Sequence, residues 1–347
     1  MANLNDYQRS NANWRQVIKD NRLRSRLVII TYFLIYIALG LLIDVYYRAG
    51  HYPDASLEQI FFALISFRIV PYATLITMGV AAISLWITFT YADNLMLLGT
   101  EYREITPETA ANLEEKKLYN VVEEMKVAAG MKFMPKVYII EADYMNAFAS
   151  GWSEKSAMVA ITRGLMQKLN RSEMQAVMAH ELTHIRHQDI KLTLVASVLS
   201  NLILMILDVL FYSVIFGGRS NNSGDRDRGN QLFIIILILR YLLPLVTILL
   251  MFYLSRKREF MADAGAVELM RDNEPMARAL LKISQDHKDH ADEYNRDYRS
   301  TGHEQVRRQA YIYDPVEAGI EPVKALTDAF STHPSIEERL KALGFKE

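Results

Sequence analysis

The sequence predicts an α-helical integral membrane protein with about four transmembrane helices and an α+β domain outside the bilayer. Two observations carry this. Four apolar blocks, each near the roughly 20 residues that a bilayer requires, interrupt otherwise polar sequence. The polar stretches between and after them contain short β-type runs and amphipathic helical patterns, so they read as a folded domain rather than as linkers. The chain has 347 residues, 51% of them hydrophobic, and a formal net charge of −1. That length accommodates a membrane anchor and one further domain. The near-neutral charge argues against a nucleic-acid partner. There is no Cys, which removes disulfides, thiol catalysis and Cys-ligated metal. Any metal site must use His and carboxylates, a donor set suited to catalytic zinc.

The organisation follows from the blocks. A basic leader, residues 1–26, precedes a first hairpin of apolar helices, 27–91, with spans from about Leu27 to Tyr47 and Ile69 to Tyr91. Residues 92–191 form the first polar part. A second hairpin, 192–254, has spans from about Leu192 to Phe216 and Leu232 to Leu254, and residues 255–347 complete the polar domain. Backbone groups in lipid must be satisfied within the segment, so all four blocks read as helices. The first apolar run is too long, and its polar leader too extended, for a signal peptide. Orientation follows from Lys and Arg near the helix ends. Arg9, Arg15, Lys19, Arg22, Arg24 and Arg26 crowd the leader, and Arg256-Lys257-Arg258 follows the fourth block. The N-terminal leader and both polar parts are therefore expected in the cytoplasm, with the connection near residue 60 and the loop 217–231 outside. Arg219, Arg226 and Arg228 in that loop run against the rule. Asp208 and Arg240 lie at similar depth on antiparallel helices. An unpaired charge there costs a few kcal/mol, so they are expected to form an ion pair that fixes the hairpin.

His180-Glu181-Leu182-Thr183-His184 is an H-E-x-x-H. On a helix, residues i and i+4 share a face, so both imidazoles reach one ion. Glu181 reaches the open position, where it takes a proton from bound water. Ser172 and Gln175 suggest an S-x-x-Q capping box at the helix start. A third ligand must come from elsewhere. His187 faces the same way but lies a further turn along, so it reads as solvated or as a partner of a ligand. Glu259 is the better candidate. Glu259 and Asp263 are four residues apart, so one can bind metal while the other holds a ligand imidazole by its far N–H. Ala264, Gly265 and Ala266 would let the two helices approach closely.

Residues 136–140, 146–151 and 158–161 read as strands of a small sheet beside the metal helix. Such a sheet can accept a substrate backbone as an added strand. Asn146, Ala147, Phe148 and Ala149 are the expected substrate-binding edge. His333, in a Ser-Thr-His-Pro-Ser turn, is the expected donor to a developing oxyanion, with Asn146 a second candidate. The charged stretch 285–310, containing His287, His290 and His303, lacks apolar periodicity and reads as a flexible loop.

Several ordered motifs resemble the HtpX-type family of membrane zinc metalloproteases, relatives of the type I CaaX prenyl proteases. They are Asn146-Ala147-Phe148-Ala149-Ser150-Gly151, Ile161-Thr162-Arg163-Gly164-Leu165, His180-Glu181-x-x-His184 with Asp189, Ser255-Arg256-x-Arg258-Glu259-x-x-x-Asp263, and Ser331-Thr332-His333-Pro334-Ser335 followed by Arg339. The resemblance covers most of residues 27–345. It implies a cytoplasmic zincin-like metalloprotease domain in which His180, His184 and Glu259 bind one zinc ion, Glu181 is the general base and Asp263 supports a ligand. It also implies a bacterial inner membrane setting and quality control of membrane proteins under stress, with protein substrates and membrane lipids as partners. The leader and the stretch 285–310 look longer or more charged than the family pattern, and His187 replaces a different polar residue. Two rivals stand beside this reading. A prenyl-protein endopeptidase would share the chemistry, but four apolar blocks are few for its chamber. A zinc-stabilised scaffold without activity would have no use for Glu181.

Overall fold

The structure, a computed structural model, describes residues 8–9, 14–52, 54–151, 153–187, 189–216, 223–300, 307–308, 310–320 and 333–346. The leader's side chains, Arg219, His303 and Ser331-Thr332 lie outside the described residues, as do the side chains of Asp189, Arg226 and Arg228. In chain order the elements begin with β1 (Gln8–Arg9), α1 (Trp14–Ala49), α2 (Leu57–Ile65), α3 (Tyr72–Leu97), β2 (Tyr102–Ile105), α4 (Leu113–Ala128), β3 (Lys136–Ile140), β4 (Ala147–Ser150) and β5 (Met158–Thr162). They continue with α5 (Arg163–Lys168), α6 (Arg171–His187), α7 (Asp189–Phe216), α8 (Ser223–Met270), α9 (Glu274–Asp289), α10 (Ala291–Ser300), α11 (Ile336–Ala342) and β6 (Phe345–Lys346). The chain divides into an apolar unit, Ser25–Thr88 with Leu194–Met251, and a polar unit formed by the rest.

In the apolar unit, the stretch Ile30–Ala49 of α1 is long and apolar enough to cross a membrane. The other three blocks appear as shorter apolar stretches, Tyr72–Ile87, Val198–Ser213 and Phe233–Thr247, among the described residues. The connection near residue 60 contains an unexpected helix. Ser56 and Gln59 form a capping box at the start of α2. Ile60 and Leu64 of α2 then pack on Val45 and Ala49 of α1. Buried Asp44 of α1 accepts the N–H groups of Ala73 and Thr74, each at 2.9 Å, and so caps the start of α3. Tyr32 bonds the Ser200 hydroxyl at 2.9 Å and donates to the Thr247 carbonyl at 3.1 Å, linking three helices. Arg240 Nη2 lies 3.0 Å from Asp208 Oδ1, and its guanidinium sits 4.0 Å from the Phe211 ring centroid.

In the polar unit, β2, β3, β5 and β4 form one mixed sheet in that order, with β3 and β5 parallel and the outer pairs antiparallel. β3 to β5 are apolar at nearly every position because both faces are covered. Val137, Ile139, Ala147, Ala149, Val159 and Ile161 join one core with α4, α6 and α9. Tyr138, Ile140, Phe148, Met158 and Ala160 face the other way, into a second core built around Tyr144, Tyr294, Tyr298 and Tyr311. α4 buries Leu118, Val121, Val122 and Met125 at helical spacing. Gly164 follows β5 where a Cβ would meet the Asp143 carbonyl oxygen at 1.9 Å, so no larger residue fits.

The stretch 285–300 is not a loop, in contrast to the sequence expectation. It completes α9 and forms α10. Its buried face is made of His287, Tyr294 and Tyr298 instead of aliphatic residues, so a search for aliphatic periodicity misses it. Fully buried His287 directs Nδ1 to the Ile283 carbonyl at 2.9 Å and Nε2 to the Tyr298 hydroxyl at 3.2 Å. Burial holds its pKa down, to about 4. The folded value lies below the ordinary 6.5 of an unfolded chain, so the contribution is full above pH 6.5 and is lost as pH falls toward 4. The loss should be on the order of 3 kcal/mol. Denaturation midpoints measured across this range should fall for the wild type, and His287→Phe should flatten the slope; an unchanged slope would contradict the assignment.

Candidate metal centre

The site is assembled by two helices of the polar unit. α6 begins at Arg171, so the capping box lies two residues before the expected Ser172 and Gln175. Asn170 accepts from the Glu173 N–H at 3.0 Å, and the Glu173 carboxylate accepts from the Asn170 N–H at 3.0 Å. Ser172 falls inside the first turn, and its hydroxyl reaches Asn170 Oδ1 at 2.9 Å. From this start His180 and His184 land one turn apart on a fully buried stretch of α6, with their Nε2 atoms 3.1 Å apart. α8 brings Glu259 and Asp263 to the same place. Gly265 makes the approach possible: a Cβ there would lie 2.3 Å from Thr183 Cγ2 of α6.

Glu259 Oε2 lies 3.5 Å from His180 Nε2, and Oε1 lies 3.6 Å from His184 Nε2. One ligand atom from each of these three residues falls within 4.8 Å of the others. His187 is outside the converging group. Asp263 Oδ1 lies 2.9 Å from His180 Nδ1. A carboxylate at Nδ1 keeps the proton there and turns the Nε2 lone pair toward the centre. Two imidazole nitrogens and one carboxylate oxygen form the donor set of a catalytic divalent cation, so the residues present fit a metal.

Buried Glu181 lies between the two histidines in sequence, and neither carboxylate oxygen has a hydrogen-bond partner among the described residues. Burial pushes its pKa up. Burial opposes charge on His180, but hydrogen bonds to Asp263 and Glu259 outweigh it and raise its pKa to about 9. Buried His333 places Nδ1 3.5 Å from Glu259 Oε2, beside the convergent group. It also lines a cavity of about 390 Å³, together with Glu317, Arg256, Lys288 and Ser335.

The strand residues are placed differently from expectation. Asn146 Nδ2 donates to the Tyr313 carbonyl at 3.0 Å and the Tyr298 hydroxyl at 3.2 Å, so neither of its N–H groups is left for a reacting oxygen. β4 is an edge strand, but Ile312 N–H donates to the Ala147 carbonyl at 2.9 Å and Phe148 bridges to Tyr311. A substrate backbone cannot pair at Ala147 and Phe148 while that segment is in place. Ala149, on the same strand, is buried in the first core.

A profile of peptidase family M48 matches residues 112–345. The chain belongs to peptidase family M48. A protein named Protease HtpX homolog from Helicobacter pylori is 38% identical over 331 residues, covering 95% of this chain and 98% of that one. Another of that name from Bacteroides fragilis is 30% identical over 321 residues, covering 91% and 90%. The crystal structure of S. mikatae Ste24p aligns with a TM-score of 0.44 and 19% identity, over 91% of this chain and 66% of that one. As an M48 peptidase the chain is a metalloendopeptidase acting on protein substrates.

Arg339 follows the Ser-Thr-His-Pro-Ser motif, and the sequence alone assigns it no role. Its signal was an Arg at a core position of a short helix, on the face that buries Ile336 and Leu340. Such an Arg requires a buried carboxylate. Metal binding must displace the His180 proton, so below about pH 9 affinity should rise with pH. The rise should approach about tenfold per unit if one proton is released. Chelator competition with zinc at several pH values checks this, and a flat profile would contradict His180 as a ligand.

Proposed function

We propose that the chain is a zinc-dependent endopeptidase of the bacterial cytoplasmic membrane, with its active site facing the cytoplasm, and that it degrades misfolded or damaged membrane proteins in quality control. The observation that carries the reading is the convergence of His180, His184 and Glu259 beside the buried, unpartnered carboxylate of Glu181. His180, His184 and Glu259 hold the ion. Bound there, zinc would supply Lewis acidity to the scissile carbonyl and to the attacking water.

The chain's own groups do the rest. Glu181 accepts the proton of the attacking water at a carboxylate oxygen and returns it to the leaving amine. Its raised pKa suits both transfers. His333, held beside Glu259, donates a hydrogen bond to the oxygen that gains charge. Asp263 keeps the proton of His180 on Nδ1.

The membrane setting is supported by the apolar stretch Ile30–Ala49, and the orientation by the basic residues of the leader and by Arg256-Lys257-Arg258 after the fourth block. In this reading the four blocks span as two hairpins, 27–91 and 192–254, and the catalytic parts are 92–191 and 255–347. α8 carries both the fourth apolar block and Glu259. Pairing of Asp208 with Arg240 fixes the second hairpin.

The test is casein cleavage by detergent-purified, zinc-loaded protein, wild type against Glu181→Gln. The variant should lose about 10²- to 10⁴-fold in rate while retaining zinc. Equal rates with equal zinc content would remove Glu181 from the mechanism.

A further inference from the structure

We propose that Arg339 is a positioning residue for the metal centre, acting through Asp263 on His180. This rests on the zinc reading of His180, His184 and Glu259. Arg339 is on α11 and is 1% exposed. Its Nε donates to Asp263 Oδ2 at 2.9 Å and its Nη2 donates to Oδ1 at 2.7 Å. The same Oδ1 lies 2.9 Å from His180 Nδ1. Nη1 donates to the Ile312 carbonyl at 2.6 Å and lies 3.9 Å from Glu259 Oε2.

A carboxylate held through one oxygen can still turn about its last side-chain bond. A guanidinium fork on both oxygens fixes its plane. Here the fixed plane aims Oδ1 at His180, so the orientation of the ligand ring is set by Arg339 as well as by Asp263. The charge matters too. Glu259 and Asp263 are both buried carboxylates near His180, and the Arg339 guanidinium touches both. Buried carboxylates require such compensation.

The third contact extends the clasp. Ile312, whose carbonyl Arg339 holds, donates its own N–H to Ala147 of β4. One side chain therefore ties the metal helix pair, through Asp263, to the segment lying on the edge of the sheet. A lysine can supply the charge but neither the fork nor the third contact.

A purely structural ion pair would hold α11 in place without affecting the metal in a folded protein, so the decisive readout is zinc affinity. Chelator competition on purified full-length wild type, Arg339→Lys, Arg339→Ala and Arg339→Ala/Asp263→Asn would be compared with circular dichroism. Folded Arg339→Lys and Arg339→Ala should bind zinc about 10- to 100-fold more weakly. Added guanidinium ion should restore affinity to Arg339→Ala but not to the double variant, which lacks the carboxylate it would grip. If Arg339→Ala does not fold, Arg339→Lys carries the test. Wild-type affinity in any folded Arg339 variant, or no rescue by guanidinium, overturns the proposal. Failure of the wild type itself to bind zinc would instead overturn the zinc reading.

Discussion

The close approach of α8 to α6 is the constraint on which the rest of the site depends. His180 and His184 can share an ion because they lie on one helical face, but two imidazoles do not make a hydrolytic centre. The candidate third ligand, Glu259, lies on α8, far along the chain, and must arrive within bonding reach of both. Gly265 permits this by leaving room for Thr183 where any side chain would collide. Once the helices are in register, the four-residue spacing of Glu259 and Asp263 sends one carboxylate to the Nε2 side of His180 and the other to its Nδ1 side.

That arrangement concentrates charge in a buried place. His180, Glu181, Glu259, Asp263, His333 and Arg339 are all nearly inaccessible to solvent. Each would be costly alone. Together they offset one another: Asp263 is held between Arg339 and His180, and Glu259 lies near both imidazoles, His333 and Arg339. Glu181 stands apart from this balance, since its oxygens have no hydrogen-bond partner among the described residues. Such a group is a liability for stability and suits a base that must change protonation state during turnover.

Much of the polar unit was legible because its signals are local. Continuous apolar runs bounded by turns marked β3, β4 and β5, and the H-E-x-x-H spacing marked α6. The i, i+4 carboxylates and small residues after Glu259 foretold the partner helix. What escaped depended on tertiary partners. α9 and α10 bury His287, Tyr294 and Tyr298, which look polar until the His287 ring is seen to pair with the Tyr298 hydroxyl and the Tyr294 hydroxyl to donate to Asp286. The cap of α6 shifted because Asn170 and Glu173 close a reciprocal box two residues earlier, with the Ser172 hydroxyl turned back onto Asn170. Asn146 reads as a reactive amide in sequence, but Tyr298 and Tyr313, more than 150 positions away, absorb both its donors. Asp44 and Arg339 sit at apolar positions of their helices, and only the fold shows the N–H groups and carboxylate that they serve.

The most direct measurement is the X-ray absorption fine structure of the zinc-loaded protein at the zinc edge, for wild type and Glu259→Gln. The account predicts a first shell of nitrogen and oxygen only, with two imidazoles, and a changed shell with weaker retention of zinc in the variant. A shell with one or three imidazoles, or a spectrum that Glu259→Gln leaves unaltered, would contradict it.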